Sequence, residues 1–180
     1  MSRIGKKVIN IPQGITVEIK ENNLVNVKSS TNQCSYQFYP LLKINSKDNV
    51  ITIERINNEV FMKKIHGTTR ALLANMISGL NKSFTKKLEL VGLGYDVKQD
   101  GQKLVFSLGF SHPIILPIPK KLQVEIIKNK EIIIKGADKQ FIGEFAAKIA
   151  KLRKPDPYQG KGVCYEGQYI HRKAGKSAKK

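Results

Sequence analysis

LQVEIIKNKEIIIKGADKQFIGEFAAKIAKL, residues 122–152, decides the fold, because it reads as strand, turn, strand and amphipathic helix within one short span. Residues 122–127 and 131–135 are rich in β-branched side chains around a Lys-Asn-Lys turn. Gly136 breaks the second strand, Asp138 is suited to cap a helix, and Pro155 stops that helix soon after Leu152. The same pattern stands 80 positions earlier in LKINSKDNVITIERINNEVFMKKIHGTTRAL, residues 42–72. At that constant offset Leu42 meets Leu122, Ile44 meets Val124, Asn49 meets Asn129, Ile53 meets Ile133 and Arg55 meets Lys135. The match runs without a gap into the helices, where Phe61 meets Phe141, Ile65 meets Phe145 and Leu72 meets Leu152, with Thr69 against Ile149 as the weak pair. Spacings of 4, 4 and 3 put these positions on one helical face, which is the expected core face.

Outward from these segments the two halves stay parallel. In the first, 15–20 and 24–28 alternate around Asn22-Asn23, a hairpin signal, and 34–38, 41–45 and 50–55 follow as short strands. Its helix is expected over about 58–80, with Asn57 or Asn58 as N-cap. In the second, a long strand over 86–98 turns at Asp100-Gly101 into 103–110, and 114–118 precedes the hairpin quoted first. Strands followed by one helix indicate an antiparallel sheet covered on one face. The expected architecture is α+β: two similar small domains from an internal duplication, residues 1–81 and 82–152, and a basic extension, 153–180.

Charge points to a polyanion. The 180 residues carry a formal net charge of +18. Residues 1–81 hold 11 Lys and Arg against 5 Asp and Glu, and the remainder holds 21 against 9. The second part is therefore expected to make the main contact. No stretch approaches the ~20 apolar residues of a spanning helix, and the N-terminus lacks the apolar core of a secretory signal, so neither a membrane partner nor export is expected. Cys34 and Cys164 show no metal-ligand spacing and are read as unpaired thiols.

Three patterns invite a catalytic reading and fail. Gly175-Lys176-Ser177 resembles the end of a phosphate-binding loop, but Ile170 stands where the earlier glycine is needed. Gly92 and Gly94 form a G-x-G whose third glycine is replaced by Val97, and such glycines in a strand mark a bulge or a close backbone approach. His66, His112 and His171 are scattered; His66 reads as semi-buried at the start of a helical stretch. No enzyme, cofactor, metal or small-molecule substrate is expected.

The extension, RKPDPYQGKGVCYEGQYIHRKAGKSAKK, holds six Lys, two Arg, three Tyr and four Gly, opposed only by Asp156 and Glu166. With so few aliphatic residues it is expected to need a partner to order it, and removal of 154–180 is expected to leave both domains folded. Cations beside rings and flexible backbone suit RNA, whose bases and grooves are accessible. Arg153 and Lys154 open the contact surface, and two prolines then lift the chain off the helix. Gly160 and Gly162 let backbone approach a phosphate that Lys161 between them can neutralise. Tyr158 and Tyr165 either stack on a base, a contact worth roughly 1–3 kcal/mol, or pack on the sheet. Arg172, Lys173, Lys176, Lys179 and Lys180 form a thin cationic end that either enters a groove or merely solubilises the chain. Lys86 and Lys87, and His171, are additional candidate contacts.

Several segments in order carry a resemblance over essentially the whole chain: Ser2-Arg-Ile-Gly-Lys6, Gly67-Thr-Thr-Arg-Ala-Leu-Leu-Ala-Asn-Met76, Val91-Gly-Leu-Gly-Tyr95, Leu108-Gly-Phe-Ser-His-Pro113, Pro155-Asp-Pro-Tyr-Gln-Gly-Lys-Gly-Val163 and Arg172-Lys-Ala-Gly-Lys176. The sequence resembles the bacterial-type large-subunit ribosomal protein conventionally numbered six. That resemblance implies two similar α+β domains, the second being the main rRNA-binding one, with Ser111 and His112 among additional candidate contacts. It further implies a structural constituent of the large subunit, bound to 23S-type rRNA near the stalk base and the sarcin–ricin loop. There it would support subunit assembly and the transient docking of translational GTPases, beside neighbouring large-subunit proteins. The expected location is the cytoplasmic ribosome, with an organellar ribosome as the alternative. Gln159, Gln168 and His171 depart from the family's usual Lys, Glu and fixed cation, and the first and third remove permanent charge from the expected surface. A free-standing, non-specific nucleic-acid binder and an RNA-modifying enzyme or assembly factor are the competing readings.

Overall fold

Each half of the chain runs through six strands in the same spatial order and then enters its long helix. The computed structural model describes residues 3–30, 32–47 and 49–176. The first half forms β1 (Ile9–Asn10), β2 (Ile15–Ile19), β3 (Leu24–Ser29), β4 (Gln33–Gln37), β5 (Leu42–Lys47), β6 (Val50–Arg55) and α1 (Val60–Asn81). The second forms β7 (Phe84–Val91), β8 (Asp96–Asp100), β9 (Lys103–Ser107), β10 (Ile114–Pro117), β11 (Gln123–Ile127), β12 (Glu131–Gly136), α2 (Lys139–Leu152) and a further strand, β13 (Gly162–Tyr165). Contacts divide the chain into two compact units, Met1–Ser83 and Phe84–Lys180. The strands of each unit separate into two antiparallel sheets, β1-β6-β5 with β2-β3-β4, and β11-β12-β7-β13 with β10-β9-β8. Element for element the order is the same, so the expected duplicated α+β architecture is present, with each expected sheet split in two. No helix among the described residues is long and apolar enough to cross a membrane.

Local chemistry explains the turns. Asn22 and Asn23 take φ of 57° and 58°, the left-handed region that asparagine tolerates, and so close the β2–β3 connection at the predicted place. Asp138 caps α2, its carboxylate accepting from the backbone N–H groups of Gln140 at 2.9 Å and Phe141 at 3.4 Å. Helix α1 is different: its N-cap is Glu59, without a side-chain hydrogen bond. Asn58 is unavailable for the role because its amide oxygen accepts from Arg55 Nε at 3.2 Å and from a terminal guanidinium nitrogen at 2.8 Å.

Two repeat assignments move by one residue. Two residues separate the paired Lys47 and Val50, whereas three separate Ile127 and Glu131. The buried isoleucines of β6, Ile51 and Ile53, therefore correspond to Ile132 and Ile134, one position beyond the constant offset. Three consecutive isoleucines, 132–134, fit either register and hide the slip. The buried face of α1 is likewise Met62, His66, Thr69, Leu73 and Ile77, not the face of Phe61, Ile65 and Leu72. Phe61 is 55% exposed and lies edge-on to Tyr39, with ring centroids 5.7 Å apart. Thr69, the weak member of the expected face, is buried, and the polar His66 on the true core face displaced the hydrophobic pattern. His66, 2% exposed in the first half of α1, donates from Nε2 to the Ile53 carbonyl at 2.8 Å and accepts the Arg55 guanidinium at Nδ1, 3.2 Å away. Gly5 lies against its imidazole, where no Cβ would fit.

The expected long strand over 86–98 is two strands in two sheets. Gly92 (φ 155°) and Gly94 (φ 73°) turn the chain from β7 into β8, and a Cβ on Gly92 would stand 2.8 Å from the Tyr95 ring. Tyr95 joins one core made by both sheets and α2, with Leu88, Val97, Leu104, Phe106, Ile132, Ile142, Phe145 and Ile149.

The basic extension is not a bare tail. Strand β13 pairs with the free side of β7, Val163 against Leu90 and Cys164 against Glu89. It buries Val163 to 1% and Cys164 to 4% exposure. Truncation after Arg153 thus removes an edge strand and uncovers core, so the second unit is expected to lose stability rather than stay intact. Gly162 (φ 152°) makes the crossing: a Cβ there would sit 2.6 Å from Pro155 Cα. Gly162→Ala should cost on the order of 2–4 kcal/mol in urea unfolding. Gly143→Ala, in α2 with open space around its Cβ position, should stabilise by about 0.5–1 kcal/mol. Burial, with help from Glu89, holds the Cys164 thiol above its ordinary pKa, and thiolate is the reactive form. Alkylation of Cys164 in the isolated full chain should accordingly proceed only as fast as β13 detaches; immediate labelling would show an unpaired strand.

Candidate nucleic-acid interface

A single carboxylate organises the segment between α2 and β13. The Asp156 side chain accepts from the backbone N–H of Tyr158 at 3.3 Å and of Gln159 at 3.1 Å. Its own carbonyl accepts from Gly160 N–H at 2.8 Å, and its N–H donates to the Lys161 carbonyl at 2.9 Å. Proline on either side removes competing donors, so the loop is wound around Asp156 by local bonds. Arg153, just past the end of α2, accepts the Val163 N–H at its carbonyl, 2.9 Å away, and lays its guanidinium over the Phe110 ring, 4.8 Å from the centroid.

The later part of the extension folds back on this loop. Lys173 N–H donates to the Pro157 carbonyl at 2.9 Å. A Cβ on Gly160 would lie 3.3 Å from a terminal nitrogen of the Arg172 guanidinium, so that guanidinium rests against glycine backbone. Gly160 and Gly162 are buried, and their missing side chains make room for Arg172 and for the Pro155 backbone respectively. The fold itself thus supplies a reason for glycine at both positions.

These contacts gather one set of candidate residues and separate out another. Arg153, Lys154, Tyr158, Lys161, Arg172 and Lys173 are assembled around the Asp156 loop, and Tyr158, Lys154, Lys161, Arg172 and Lys173 are exposed. Among the described residues none of these cations is in an ion pair; the pairs are Lys28–Glu18, Lys87–Glu166 and Lys135–Glu125. Ser111 and His112 follow Phe110 in the loop touched by Arg153, with Ser111 Oγ 3.5 Å from His112 Nδ1. His171, directly before Arg172, and Lys176, three residues past Lys173, are also exposed. Lys179 and Lys180 lie outside the described residues.

Lys86, Lys87 and Tyr165 belong to a different arrangement. The Lys87 ammonium donates to Glu166 at 2.9 Å, and the Lys86 ammonium lies 5.9 Å from the Tyr165 ring centroid. Tyr165 is half-buried against the core, and its N–H donates to the Gln168 side chain at 3.1 Å. Its sheet-packing reading is therefore the structural one. Phe110 was missed as a residue of interest; its only signal in sequence is its place in the Gly109–His112 turn, and its role as the seat of Arg153 arises from a contact 43 positions away.

What stands out is a twice-repeated α+β protein, strongly basic, whose second copy carries an added edge strand flanked by unpaired cations. The model of the family described as ribosomal protein L6 matches residues 11–83 and 91–166, so the chain belongs to the ribosomal protein L6 family. It is 56% identical over 181 residues to the "Large ribosomal subunit protein uL6" of Phytoplasma mali (strain AT), covering all of both chains. To the protein of that name from Aster yellows witches'-broom phytoplasma (strain AYWB) it is 54% identical over 180 residues, covering 100% of this chain and 98% of the relative. To that of a Bacillus cereus strain it is 45% identical over 179 residues, covering 99% and 100%.

The Glu166 hydrogen bond, and then its charge, raise the Lys87 pKa above 10.5. A raised folded-state value means the pair contributes stability below 10.5 and loses it as pH climbs through the higher value. Glu166→Gln should bring the Lys87 Nζ titration back toward 10.5, followed by side-chain NMR; an unmoved titration would show that the contact is not populated in solution.

Proposed function

We propose that this ribosomal protein is a non-catalytic constituent of the large subunit that grips folded 23S-type rRNA with its second unit. The observation that carries this reading is the set of unpaired cations, Lys154, Lys161, Arg172 and Lys173, held around the Asp156 loop instead of spread along a loose tail. Cations on an ordered loop neutralise phosphates at a smaller ordering cost than cations on a loose chain, and counterion release then supplies much of the affinity. Tyr158, exposed on the same loop, is available to stack on a base. The first unit, with the smaller charge excess, acts as an outer lobe or support.

The finer placement rests on the family resemblance: near the stalk base and beside the sarcin–ricin loop, among neighbouring large-subunit proteins, supporting assembly and the docking of translational GTPases. The names of the relatives from Phytoplasma mali and Bacillus cereus put those proteins in the large subunit, and this chain shares their full length.

The test is binding of the full chain to a transcript of the stalk-base and sarcin–ricin region over a salt series, with unrelated structured RNA and duplex DNA as competitors. Tight, competitor-resistant binding with a steep log–log slope is expected. Lys161→Gln and Arg172→Gln should each weaken binding and reduce the slope by about 1. Equal affinity for every competitor would leave a non-specific polyanion binder in its place.

A further inference from the structure

The most exposed large apolar side chain among the described residues is Leu93, at 92%. It stands at the tip of the Gly92–Gly94 turn. Isolated exposed leucines are ordinary on protein surfaces, but three features set this one apart. First, the turn is firm. Gly92 lies against the ring of Tyr95, which is buried in the core, and the Tyr95 N–H donates back to the Gly92 carbonyl at 3.5 Å. Second, the turn adjoins the cationic surface. Val91, two residues before Leu93, pairs with Gly162, and the Gly162 backbone packs on Pro155. The Tyr95 ring also lies against Gly109, next to the Phe110 that carries Arg153. Third, Leu93 has apolar company: Val91, Phe110 and Tyr158, on the segments joined by those contacts, are also exposed.

We infer that Leu93 is a further RNA-contacting residue, an apolar tip that seats against an exposed base or ribose of the same folded RNA. The inference rests on the RNA-binding reading above. Charge selects the occupant: Arg153, Lys154, Lys161 and Arg172, on the segments tied to this turn, are cationic and outside any ion pair, which suits a polyanion that also offers apolar faces. The backbone of the turn is ordered before binding, so the conformational freedom lost on contact is confined to the leucine side chain. Its contribution is non-ionic. This separates it from the lysines by a measurable signature, since removal of a leucine changes affinity without releasing or retaining counterions.

The experiment uses the full-length wild-type chain, Leu93→Ala, Leu93→Met and Lys161→Gln, titrated with the same transcript over the same salt series. Leu93→Ala should bind roughly tenfold more weakly with an unchanged salt slope, and Leu93→Met should restore most of the loss, while Lys161→Gln lowers the slope. Thermal unfolding of Leu93→Ala should match wild type, because the side chain touches no core. Wild-type affinity in Leu93→Ala, or a loss accompanied by a changed slope, overturns the inference and leaves the RNA-binding reading standing. Failure of the wild-type chain to prefer the transcript over unrelated RNA overturns both.

Discussion

Strand β7 is hydrogen-bonded on both sides, to β12 and to β13, and the second unit depends on that arrangement. It converts a sequence too polar to fold alone into the edge of a sheet. The link is sterically narrow. Between α2 and β13 the chain must double back over Pro155, and the crossing is possible because position 162 carries no Cβ. Once Val163 and Cys164 enter the core, everything attached to them inherits its position from the sheet: the Asp156 loop before them and the Glu166 turn after them. Cations attached to such a loop start from defined backbone positions, unlike those of a loose polycationic tail.

The two units show what one added strand changes. Both have the same six strands, the same sheet order and a helix after the sixth strand. In the first unit the counterpart of β7 is the two-residue β1, paired among the described residues with β6 alone. In the second, β7 extends to eight residues and accepts β13. The larger excess of positive charge lies in the half that carries the added strand. Duplication thus supplied a scaffold twice, and the second copy carries the segment with the unpaired cations.

Much of this was legible in sequence because local chemistry and global fold agree there. Asn22-Asn23, Asp100-Gly101 and Asp138 act where their conformational preferences place them, and the repeat emerged from side chains whose burial is set by the same backbone twice. Legibility failed where a long-range contact overrides local pattern. His66 occupies a core position as a polar residue, so a search for apolar spacing chose the neighbouring face of α1. The three isoleucines 132–134 satisfied two registers at once. For the candidate interface, residue types were readable but reasons were not. Gly160 and Gly162 read as clearance for a phosphate, and that they admit Arg172 and Pro155 could not be read from the sequence. The pairing of β13 with β7 joins residues more than 70 positions apart and leaves no trace in local composition.

The position of β13 in chain order has a consequence for biosynthesis. Strands form as the polypeptide emerges from the N-terminal end, so β7 to β12 and α2 are available well before their last partner. Until that partner emerges, one edge of β7 and the core beneath Val163 stay open, and the Asp156 loop has nothing to anchor its far end. A chain halted before Tyr165 therefore lacks the closing strand and the cationic surface together. The strand that completes the sheet and the loop that carries these cations are thus finished by the same last stretch of chain.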